Sequence, residues 1–211
     1  MSNAYTAASP EMEAVEIHGM NRSSFILRGA VAAGSVYGAG MVGPFVRQAL
    51  AGSDMGDVDI LNFALTLEYL EAAFYKESAK VNGLSDEASK MVEEFGNQEQ
   101  QHVDALTKTI TDLGGKPVAA PKVDFGKLGS QSDFLKLAVA FEDTGVSAYN
   151  GAAPSIKSKE VLAAAGSIVQ IEARHAAAIR LLAKQDPSPD AFDPTLNMKQ
   201  VLKAVKPYVK S

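Results

Sequence analysis

Six residues in this chain have types and spacings suited to holding metal. Glu99 and His102 stand three residues apart, as do Glu172 and His175, and two more glutamates, Glu68 and Glu142, occupy matching places in other stretches. A spacing of three puts both side chains on one face of a helix, about 60° apart. Four carboxylates and two imidazoles meeting inside a fold would each cost several kcal/mol if left unpaired, and no Lys or Arg shares their stripes. Two divalent cations would balance the four carboxylates, so the pattern implies a dinuclear centre. Oxygen and imidazole ligands without thiolate suit iron or manganese and do not choose between them. The chain has no cysteine, which excludes disulfides, zinc knuckles, iron–sulfur clusters and thiol nucleophiles. A hydrolytic triad has little support, because both histidines are already paired with glutamates and no nucleophile motif is present.

These residues need helices to position them. After Gly52 the sequence reads as amphipathic helices between clear breakers. The first is expected from about Asp57, as N-cap, to Asn82-Gly83, and the second from Ser85 to Gly114-Gly115. The third runs from about Ser132 to Asn150-Gly151, the fourth from Ser158 to a point before Pro187, and a short helix covers Leu196 to Val205. The apolar seams are Leu61, Leu65, Glu68, Ala72, Tyr75 in the first helix and Leu135, Val139, Glu142, Val146, Tyr149 in the third. In the second the seam is Phe95, Glu99, His102, Leu106, and in the fourth Ile168, Glu172, His175, Ile179, Leu182. The same order of residue types therefore occurs twice. Short first and third connections make two antiparallel hairpins, and positions 68/99 and 142/172 lie nearly symmetrically about the two turns. The stretch from Gly114 to about Gln131 is long enough, at roughly 3.3 Å per extended residue, to run the length of a helix. Glu71, Glu93, Glu94, Asp104 and Asp143 fall off the seams and are expected in solvent.

Glu68, Glu99-x-x-His102, Glu142 and Glu172-x-x-His175 resemble the ligand set of ferritin-like dinuclear carboxylate proteins such as bacterioferritin and rubrerythrin, over roughly residues 57–185. The resemblance implies an all-α fold, a ferritin-like four-helix bundle with a long crossover between helices two and three. It implies two Fe or Mn ions, bridged by Glu99 and Glu172, with Glu68 and His102 ending one and Glu142 and His175 the other. Tyr75 and Tyr149 resemble the family's tyrosines that bond to bridging carboxylates. Reaction with dioxygen or hydrogen peroxide is implied, with an electron donor that the sequence does not identify and a possible homo-oligomer. The absence of cysteine excludes a complete rubrerythrin. Two other readings stay open: iron storage in a closed cage, and a non-catalytic structural protein resembling the desiccation-related branch, in which metal chiefly stabilises the bundle.

The organisation expected is an export signal over 1–51, the bundle over 52–190 and a tail with a short helix over 191–211. Arg22, Arg28, a weakly apolar stretch from Gly29 to Val46, and small residues at Ala49 and Ala51 have the shape of a signal. Arg22 followed by Phe25-Ile26-Leu27 resembles a twin-arginine signal with Ser23 where the second arginine belongs. Glu11, Glu13 and Glu16 suit a signal start badly and point to Met20 as the initiator, which leaves His18 outside the mature protein. The same apolar stretch approaches membrane-spanning length, so an anchor is the alternative. Localisation in the periplasm or at the cell surface is the expectation. Gly38-x-Gly40-x-x-Gly43 matches a dinucleotide fingerprint only formally, with no strand before it and Pro44 after it. A net charge of -5 with dispersed lysines argues against a nucleic-acid partner.

Overall fold

A computed structural model describes residues 56–210 of the chain. Within them five helices are formed: α1 (Asp57–Ser78), α2 (Asp86–Asp112), α3 (Gln131–Ala152), α4 (Lys159–Leu182) and α5 (Met198–Val205). Serine hydroxyls start three of them, because each accepts a backbone N–H that the first turn leaves free: Ser85 from Ala88, Ser130 from Asp133 and Ser158 from Val161. Asn197 does the same for α5, and Gln200 answers it in a capping box. The N-cap of α1 is Gly56, not Asp57. Asp57 is occupied elsewhere: its carboxylate accepts the N–H groups of Lys157 and Ser158, each at 2.7 Å, and so ties the start of α1 to the start of α4.

Such links fix the topology. The Asn62 side chain bonds to Lys116 O and Val118 N, so the exit of α2 lies beside the beginning of α1, and the two helices are antiparallel. Ser85 N donates to Gln131 Oε1 at the opposite end, which puts the start of α2 beside the start of α3. The crossover from Leu113 to Ser130 therefore travels the length of the bundle, and the architecture is the expected all-α ferritin-like one. Two short strands were not foreseen: β1 (Lys122–Val123) in the crossover pairs antiparallel with β2 (Val209–Lys210) at the chain's end, in pairs too short to show alternation. This clasp and α5 lie along α3. An added Cβ on Gly151 would sit 2.0 Å from Leu196 O, so only glycine permits the tail to pass α3 this closely.

The bundle's apolar interior forms two clusters. One holds Phe74, Tyr75, Phe95, Phe134 and Phe141 and is closed by Val201 and Val205 of α5. The other holds Leu61, Leu65, Leu106, Ile110, Val161 and Ile168. Fully burying side chains of this size contributes roughly 1.5–3 kcal/mol each. Along every long helix the polar residues of interest fall between these clusters. Among the described residues no helix is long and apolar enough to cross a membrane. The expected signal over 1–51, the start at Met20 and His18 lie outside the described residues.

Candidate metal centre

The seam geometry brings all six expected ligands to one level. Glu68, Glu99, Glu142 and Glu172 are fully buried, His175 is 1% exposed, and only an edge of His102 reaches solvent. Two groups form, each with its ligand atoms within 4.8 Å of one another: Glu68, Glu99, His102, Glu172, and Glu99, Glu142, Glu172, His175. Glu99 and Glu172, on the facing helices α2 and α4, belong to both. His102 Nδ1 lies 3.1 Å from Glu68 Oε2, 3.2 Å from Glu99 Oε2 and 3.1 Å from Glu172 Oε1. His175 Nδ1 lies 2.9 Å from Glu99 Oε1 and 3.5 Å from Glu142 Oε2.

Proximity here is not mutual satisfaction. Although close, His175 Nδ1 and Glu99 Oε1 are out of line for a hydrogen bond, and both are buried without a bonded partner, as are Glu142 Oε2 and both oxygens of Glu172. Buried polar atoms left this way are rare and need a reason. Oxygen and imidazole donors facing a shared space, with two carboxylates common to both groups, fit a pair of divalent ions.

Proton equilibria within the cluster are displaced by burial and by the close packing of its charges. Burial, with the neighbouring Glu99 charge adding to it, pushes Glu68 up to about 8, and burial raises Glu142 and, well above the ordinary range, Glu172. Burial works against the charged form of both imidazoles, yet carboxylate partners outweigh it. His102 is raised to about 12 by Glu172, Glu68 and Glu99, and His175 to about 10 by Glu142 and Glu99. Burial also opposes the charge on Glu99, but the hydrogen bond with His102 and the close, positively charged His175 ring bring it down to about 2.

The tyrosines depart from expectation. Tyr75 donates to Glu142 Oε1, and Tyr149 donates to Glu68 Oε1 at 2.5 Å, so neither bonds to Glu99 or Glu172. Each phenol sits seven residues beyond the glutamate of its own helix, two turns away, and reaches the corresponding glutamate of the other hairpin instead. Burial raises both phenols well above their ordinary value, which keeps them as donors.

Two acidic residues expected in solvent are not there. Glu71 is 3% exposed, with Oε2 unpartnered, and burial followed by the charges of Glu172 and Glu99 holds it well above the ordinary carboxylate range. The main seam alone does not mark it, because α1 buries a second stripe, Ile60, Ala64, Leu67, Leu70 and Phe74, beside that seam. Apolar neighbours at Leu67, Leu70 and Phe74 were the available signal. The residue corresponding to Glu71 in α3 is Gly145, where an added Cβ would lie 3.0 Å from both Glu71 Oε1 and Glu172 Oε2. Asp143 is partly covered and paired with Arg180 at 2.6 Å, because α4 passes close enough to supply a cation. Glu93, Glu94 and Asp104 are exposed as expected.

Residues 56–185 match the ferritin-like domain family. No curated protein matches the chain. Among solved structures, the chain is similar to a conserved hypothetical protein from Mycobacterium tuberculosis, at 18% identity and a TM-score of 0.56, over 64% of this chain and 96% of that one. At that identity the likeness speaks to fold alone.

Proposed function

The chain belongs to the ferritin-like domain family, and from that premise we propose that it holds two iron or manganese ions between its hairpins and reacts with dioxygen or hydrogen peroxide. The observation that carries the reading is the pair of buried ligand groups sharing Glu99 and Glu172, with carboxylate and imidazole atoms that no protein partner satisfies. Glu99 and Glu172 would bridge, Glu68 with His102 would complete one position, and Glu142 with His175 the other. Such a pair, when bound, supplies two-electron redox chemistry through the +2 and +3 states. The chain's own part is to keep the carboxylates dry and aimed, with Tyr75 and Tyr149 holding Glu142 and Glu68 by hydrogen bonds. A cleft of about 530 Å³ between α1 and α2 is lined by Tyr75, Lys76, Glu93, Gly96 and Asn97, and so reaches the residue whose phenol bonds to Glu142.

Anaerobic loading with Fe2+ followed by peroxide should give rapid oxidation at two irons per chain. A loaded protein inert to both dioxygen and peroxide would overturn the reading. Complete burial of the four glutamates favours a second one, in which the ions serve the bundle's stability. There, Glu172→Ala would lower the melting temperature while no turnover is lost. Iron storage would need a closed multi-chain shell, which size-exclusion chromatography would reveal. We also propose that residues 1–51 direct export to the periplasm or cell surface. N-terminal sequencing of the protein from its native host checks this: a mature start near residue 52 is expected, one left at Met20 or earlier would refute removal of the signal, and one before Met20 would also refute Met20 as the initiator.

A further inference from the structure

The two histidines are not held alike. His175 Nε2 lies 2.6 Å from Gln98 Oε1, and its ring stacks on Phe95 with centroids 4.0 Å apart. Gln98 in turn donates from Nε2 to Glu94 Oε1 at 3.4 Å. A carboxylate only accepts, so the amide nitrogen of Gln98 must face Glu94 and its oxygen must face His175. That oxygen can only accept, so His175 must carry a proton on Nε2, which leaves Nδ1 to face Glu99 and Glu142. The direction of every bond follows from the exposed Glu94 inward. Nothing comparable reaches His102. Its Nδ1 meets three carboxylates, 11% of its side chain is exposed, and among the described residues no side chain accepts from its Nε2. In α4 the residue that stands where Gln98 stands in α2, one ahead of the shared glutamate, is Ile171, which has no acceptor to offer.

We propose that Gln98 is a positioning residue that fixes the tautomer and ring plane of His175, and that the Glu142–His175 position therefore binds its ion more tightly than the Glu68–His102 position, so that the pair fills in order. This rests on the dinuclear reading above and adds an inequivalence that the repeated motifs do not announce. Outer partners of a ligating imidazole commonly change metal affinity by 10- to 100-fold.

The test is titration of the chelator-stripped full chain with Mn2+, followed by calorimetry and by electron paramagnetic resonance. The wild type should bind two ions in separate steps at least about tenfold apart. Gln98→Leu should weaken the tighter step by about tenfold or more, with the other step and the melting temperature of the stripped protein unchanged. Gln98→Glu, which keeps an acceptor, should restore the tighter step, whereas Gln98→Met, which keeps the length of the side chain but offers no comparable acceptor, should weaken it as Gln98→Leu does. Two equal steps in the wild type, an unchanged first step in Gln98→Leu, or a loss that Gln98→Glu does not restore would overturn the inference while leaving the dinuclear reading intact. Failure of the wild type to take up either Mn2+ or, anaerobically, Fe2+ would overturn both.

Discussion

Five buried carboxylates and two buried imidazoles govern how the metal-free protein answers to pH. Glu68 at about 8, with Glu71, Glu142 and Glu172, stands above the ordinary 4.5, and His102 and His175, at about 12 and about 10, stand above 6.5. A group raised on folding stabilises fully below its unfolded value, and that contribution is lost as pH climbs through the folded one. Glu99, lowered to about 2, acts in the opposite sense, but its contribution stays constant above its ordinary value of 4.5. Stripped protein should therefore lose stability as pH climbs from about 5 through about 10, at about 1.4 kcal/mol per pH unit for each extra proton the folded chain retains. Thermal melts across that range check it, and a flat profile would contradict it. Glu71→Gln should make the slope shallower, since it removes one such proton without changing the side chain's size. The gathering of these six side chains at one level was readable because Glu-x-x-His on an apolar seam has few other uses. Glu71 was not, because a helix buried on two sides has no single stripe against which an acidic residue looks out of place. The tyrosine partners were unreadable for a different reason: seam position gives the height of a phenol on its helix but not the neighbour toward which it leans.

At the scale of elements, the hairpins are joined at points that propensity does not reveal. Helix existence, hairpin pairing and the long crossover followed from breakers and connection lengths, and Ser85 and Ser158 were visible as the starts of their helices. Asp57 reads as the cap of α1, but it serves α4, and that long-range partner leaves no trace in local sequence. Its two bonds to backbone N–H groups also place a negative charge at the positive end of α4. Asp57→Ala should cost about 1–2 kcal/mol in urea unfolding with metal stoichiometry unchanged. Gly151→Ala forces a Cβ against the backbone of Leu196 and should cost about 1–3 kcal/mol, detectable in the same measurement. The clasp between β1 and β2 was invisible because two-residue strands carry no periodicity.

Across the whole molecule, the tail completes the core. Val201 and Val205 are buried, and Tyr208 meets Phe141 edge-on with ring centroids 4.9 Å apart. Deletion of residues 197–210 should lower stability by several kcal/mol, at roughly 1.5–3 kcal/mol per large apolar side chain exposed, while the two ligand groups stay intact. Calorimetric melts and metal analysis of the shortened chain would show the two effects separately. The exchange of phenols between hairpins reaches further. Since Tyr75 serves Glu142 and Tyr149 serves Glu68, neither half carries a finished set of donors until the other has docked against it. Any ion held there would bind the docked pair of hairpins and neither one alone, so its binding free energy would add to the grip of one half on the other.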